Sequence, residues 1–85
     1  MKHLEVHEMI EFVSFEQINE ETMKLIKYVN GHIRSCETCR KKIQAYQNIY
    51  DEMKRSLDEQ ELYKMFCKEV YEKEQENIEV LTLQR

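Results

Sequence analysis

The chain has 85 residues, with one Gly, no Pro and 17 acidic against 13 basic side chains, a net charge of −4. That length holds one small domain, and so few turn residues argue against a many-turned β-sandwich or barrel. The negative balance argues against a general nucleic-acid binder, and no apolar run approaches the ~18 residues a membrane span needs. The first fifteen residues carry Glu5, Glu8 and Glu11, which is not the pattern of a secretory signal. A cytoplasmic setting is expected.

Helical periodicity dominates. Leu4, His7, Ile10 and Val13 follow i, i+3 spacing and predict a first helix over Leu4 to Val13. Ser14 to Ile18 reads as a connector. Asn19 is a good N-cap, and Glu20 and Glu21 suit the positive end of a helix dipole. The second helix carries Leu25, Ile26, Val29 and Ile33 on one face and should end near Ser35. A third starts in the Cys36–Cys39 region and carries Ile43, Tyr46, Tyr50, Met53 and Leu57. That 3-4 spacing is a narrow seam suited to another helix.

The apolar stripe then shifts phase across residues 58–61, which favours a break over one continuous helix from Cys39 to Glu76. Asp58 with Glu61 reads as a variant capping box, and Leu57 and Leu62 as its hydrophobic staple. A fourth helix is predicted over 59–76, with Leu62, Met65, Phe66 and Val70 as its apolar face. The tail, residues 77–85, reads as a short extended segment or one that orders on a partner. Residues 51–77 hold nine acids and five bases, so the whole −4 lies on this helix and its approach. The expected divisions are 1–57, 58–76 and 77–85.

A chain this small needs help, because cores near 70–80 residues rarely supply more than about 3–5 kcal/mol. Three cysteines, Cys36, Cys39 and Cys67, form an odd set suited to a reducing compartment rather than to disulfides. That leaves a metal or a partner. The chemical signal is His32-Ile33-Arg34-Ser35-Cys36-Glu37-Thr38-Cys39, an H-x3-C-x2-C motif directly after Gly31, the one glycine. Positions i and i+4 share a helix face, so His32 and Cys36 can meet one ion. A C-x2-C pair at a helix start lets two thiolates share it, and backbone N–H groups there favour thiolate over thiol.

Tetrahedral zinc needs a fourth ligand. His7 is the better candidate, because it falls on the Leu4/Ile10/Val13 face; His3, nearer the terminus, is next. A His2Cys2 set of His7, His32, Cys36 and Cys39 would hold one Zn²⁺ per chain with no net charge to bury. Structural zinc contributes an apparent value of about 10–16 kcal/mol in finger peptides. A redox pair is the main rival, but the βαβ context of a thioredoxin-like motif is missing. Cys67 reads as a plain buried thiol beside Phe66 and Val70. Arg40-Lys41-Lys42 reads as a solvated face, and the Tyr46/Tyr50/Met53 stripe as core.

With these four positions, the chain resembles the zinc-binding anti-sigma factors of bacteria. Those domains carry a His or Cys in their first helix and an H-x3-C-x2-C motif roughly twenty-five residues on. His32-Ile33 followed by Cys36-Glu37-Thr38-Cys39-Arg40 is similar to their H-L-x-x-C-x-x-C-R signature, and the likeness covers residues 3–46. The resemblance implies an all-α fold: a three-helix zinc-stapled bundle whose fourth helix projects or folds back. It implies that the chain sequesters an extracytoplasmic-function sigma factor by occluding the surfaces that bind RNA polymerase. No direct nucleic-acid contact and no membrane anchor are expected. A His in the first helix, where some relatives have Cys, removes one thiol that a releasing disulfide would use.

The acidic fourth helix suits a basic partner surface, and its apolar face of Leu62, Met65, Phe66 and Val70 is then the expected partner-binding face. Two other functions remain open: a structural zinc adaptor or homodimer built on the Ile43–Leu57 seam, and a zinc-linked redox sensor. An enzyme is not expected, because a four-ligand site leaves no open metal position.

Overall fold

The computed structural model describes residues 3–83, with side chains as far as residue 75. Four helices follow one another: α1 (Val6–Ser14), α2 (Glu20–Ser35), α3 (Glu37–Ser56) and α4 (Glu59–Leu83). There is no strand among the described residues.

α1 starts two residues later than its apolar spacing suggests. The Glu5 amide donates to the Glu8 carboxylate at 2.9 Å, which marks the first turn. Leu4 is therefore in the lead-in, not on the helix. α1 buries Met9, Ile10 and Val13. At about 100° per residue, His7 lies roughly a third of a turn from the centre of that face. It is exposed as a result.

The caps of the later helices follow the sequence. The Asn19 Oδ1 accepts from the Thr22 amide at 2.9 Å and from its hydroxyl at 3.1 Å, and α2 begins there. α2 and α3 are separated by Cys36 alone. Its N–H donates to the His32 carbonyl at 3.0 Å, closing α2, and its own carbonyl accepts from Arg40 at 3.0 Å, opening α3. α3 ends at Leu57, whose N–H donates to the Met53 carbonyl. The Asp58 carboxylate then accepts from the Glu61 amide at 3.0 Å and caps α4. The predicted break between the third and fourth helices is present.

α4 folds back. Leu62, Phe66 and Val70 are buried, the last two completely, in one core with Met9, Val29, Ile43, Tyr46 and Tyr50. Tyr50 meets Phe66 edge-on, with ring centroids 5.1 Å apart, a favoured aromatic geometry. Glu74 adds a polar clasp: it accepts from the Tyr46 hydroxyl and pairs with Lys42 at 3.1 Å. The expected partner face of α4 is thus mostly internal. Only Met65 of that set is outside, 45% exposed. The Ile43/Tyr46/Tyr50 seam of α3 is likewise used within the chain. α4 also runs through residues 77–83, where a separate tail was expected.

α1 and α3 form the centre. Each packs against α2 and α4 as well as against the other, whereas among the described residues the α2 and α4 backbones do not come together. The α2–α3 hinge lies at one end of the bundle. The α1–α2 linker lies at the other, with the α3–α4 turn.

Candidate metal centre

Four successive segments each deliver one side chain to one point: His3 from the lead-in, His32 from the last turn of α2, Cys36 from the hinge and Cys39 from the first turn of α3. Their ligand atoms all lie within 4.8 Å of one another. The His3 Nδ1 is 3.3 Å from the Cys36 sulfur and 3.5 Å from the Cys39 sulfur. Nitrogen at about 2.0–2.1 Å and sulfur at about 2.3 Å from one tetrahedral ion sit about 3.5 Å apart. The spacing fits a metal ion.

Local folding explains the convergence. His32 and Cys36 are one helical turn apart, so they share a face. Cys36 is the N-cap of α3, where free backbone N–H groups collect. The Leu4 amide donates to the Cys39 sulfur at 3.4 Å, and this contact fastens the lead-in beside the cluster. Burial of Leu4 holds it there.

The electrostatics differ between the two thiols. The Cys39 backbone N–H lowers the Cys36 pKa, against the opposing effect of burial, with Thr38 and Lys42 adding to the lowering. Burial raises that of Cys39, partly offset by the Leu4 amide and Lys42. Both cysteines are free thiols, not a disulfide.

His32 supplies a further observation. Its Nε2 is buried with no hydrogen-bond partner. A buried polar atom without a partner costs about 1–3 kcal/mol, and such atoms in native folds call for an ion, a water or a functional reason. A metal ion at the cluster would supply the missing partner.

The fourth position is filled by His3, not by His7. His7 sits on the outside of α1 with its side chain 60% exposed, its Nδ1 3.3 Å from the Glu5 carboxylate. The sequence favours His7 because it falls on the apolar helix face and because His3 lies nearer the terminus. Because α1 begins at Val6, the Leu4-to-His7 spacing is not helical, and the extended lead-in reaches the cluster instead. Cys67 lies apart, half-buried at the edge of the core.

The chain matches no family model, no curated protein and no solved structure. Among the described residues, no helix is long and apolar enough to cross a membrane.

Proposed function

We propose that the protein is a zinc-stapled anti-sigma factor. It sequesters an extracytoplasmic-function sigma factor, occludes the surfaces that bind RNA polymerase, and so lowers transcription from the promoters that sigma factor serves. The observation that carries this reading is the cluster itself. An H-x3-C-x2-C motif across a one-residue hinge meets a histidine from the N-terminal lead-in, in a chain of four helices.

Zinc is the metal the donors favour. Two imidazoles and two thiolates make a tetrahedral structural set, and the thiolates balance the ion's charge. In such a site the metal is a staple that ties the lead-in to the α2–α3 hinge. The Ile43–Leu57 seam is committed inside the chain, so the homodimer reading loses the face it rested on.

The test is co-expression with each extracytoplasmic-function sigma factor of the source organism. A stable 1:1 complex that no longer binds core RNA polymerase supports the reading. A zinc-loaded, folded chain that retains none of them refutes it.

A further inference from the structure

We propose that the end of the bundle opposite the metal cluster is a docking surface for a basic, Lys- and Arg-bearing helix of a protein partner. Phe15 and Tyr63 are its anchors. The assignment rests on the sequestration reading and names the surface that would hold that partner.

The surface follows from the packing. Among the described residues the α2 and α4 backbones stay apart, and a groove of about 520 Å³ runs between them. The C-terminal end of α1 is one side of it, the first turns of α2 another, and Tyr63 of α4 faces them. Phe15, in the α1–α2 linker, belongs to this groove and to a second of about 770 Å³ beside the α3–α4 turn. Phe15 is 40% exposed and Tyr63 48%, and Ile18 in the same linker is 69% exposed. Among the described residues these side chains are left partly uncovered, and aromatic residues of this kind are common interface anchors.

Charge identifies the occupant. Glu11, Glu16 and Glu21 line the first groove, which has no basic residue among those described. Asp51, Asp58 and Glu59 join Glu16 around the second, against Lys54. The field reaches Tyr50, where Glu16, Glu59 and Asp51 add to the burial that raises its pKa; at Tyr63 the rise comes first from the Cys67 thiol and from burial, with Glu11 a smaller contributor. A basic amphipathic helix meets all of this at once. Its apolar residues sit on Phe15 and Tyr63, its cations reach the carboxylates, and an Arg can stack on an aromatic face. Such complementarity mainly speeds encounter and sets specificity.

The surface also answers a difficulty. Leu62, Phe66 and Val70 of α4 are in the core, so binding through them requires unfolding part of it. The acidic end binds without that cost.

The experiment measures affinity for the sigma factor found in the co-expression test. The variants are Glu16→Lys with Glu21→Lys, Phe15→Ser, and Ile18→Ser, whose side chain is too exposed to carry the fold. Glu72→Lys, an exposed reversal near the Lys42–Glu74 pair, is the control. Zinc content and circular dichroism confirm that each variant folds. The charge reversal should weaken binding at least tenfold and flatten its salt dependence, while Glu72→Lys changes it less than twofold. Phe15→Ser and Ile18→Ser should each weaken it severalfold. Folded groove variants that bind as tightly as the parent overturn the docking surface and leave sequestration intact. A folded parent chain that binds no sigma factor overturns both.

Discussion

Replacing His3 by Ala separates the observed cluster from the one the apolar spacing suggested. The side chain touches both cysteine sulfurs, at 3.3 and 3.5 Å, and it is one of four ligands. If about 10–16 kcal/mol of apparent zinc affinity is shared over four ligands, each carries about 2.5–4 kcal/mol. His3→Ala should therefore weaken zinc binding roughly 10²–10³-fold. His7→Ala removes only an exposed imidazole beside an exposed carboxylate, a contact worth about 0–1 kcal/mol. Its zinc affinity should stay within about twofold of the parent. Competition against a chromophoric chelator at fixed pH measures both. A His7→Ala chain that loses zinc while His3→Ala keeps it would refute the geometry.

Three further outcomes follow from the packing. Phe66→Ala should cost about 3–5 kcal/mol in urea unfolding, because the ring is fully buried; Met65→Ala, on the outer face, should stay within about 0.5 kcal/mol. A small loss at Phe66 would mean that α4 is not docked in solution. Asn19→Ala removes the acceptor of two Thr22 donors and should cost about 0.5–2 kcal/mol, with exposed Asn30→Ala as the near-neutral comparison. Burial, with the Glu74 carboxylate accepting a hydrogen bond from the hydroxyl, holds the Tyr46 phenol well above its ordinary range. A raised pKa means that the folded chain favours the protonated form. The stabilisation is whole below about pH 10 and is lost as pH rises beyond it. Tyr46→Phe should make the alkaline limb of the urea midpoint shallower, and an equally steep limb would count against the Glu74 contact.

Most of the fold was legible because it rests on local signals. Asn19 and Asp58 each cap a helix through a contact three residues away, and the phase shift after Leu57 marked the break. Three of the four cluster residues lie within eight positions, so spacing alone placed them together. The fourth depended on where α1 starts. Glu5 and Glu8 form that boundary, but without the Ser or Thr that usually signals one. A helix begun two residues earlier would turn His7 inward. The docking of α4 was harder to read, since an apolar stripe fits an internal core as well as a partner. The acidic end was hidden for a different reason: Glu11, Glu16 and Glu21 are far in sequence from Asp51, Asp58 and Glu59. Only the return of the chain puts them around Phe15.

The two ends of the bundle are joined through its least anchored helix. Among the described residues α2 packs on α1 and α3 and its backbone stays apart from α4, and Val29 is its one fully buried side chain, with Leu25 and Ile33 only partly covered. Full burial of a Val stabilises by about 1.5–3 kcal/mol, little for sixteen residues that must be ordered. Beyond these contacts, α2 is held at its C-terminal end by His32, in the cluster. The packing of α1, α3 and α4 has more buried side chains of its own, Met9, Ile43, Tyr50, Phe66 and Val70 among them. Chelation should therefore loosen α2 first, and amide exchange along α2 should accelerate while the buried stretch of α4 around Phe66 stays protected. The first turn of α2 carries Glu21 and Thr22, one wall of the acidic groove. Metal loss at one end should then reach the docking surface at the other as a loosened wall. Uniform acceleration across all four helices would instead mean that the core cannot stand without its staple.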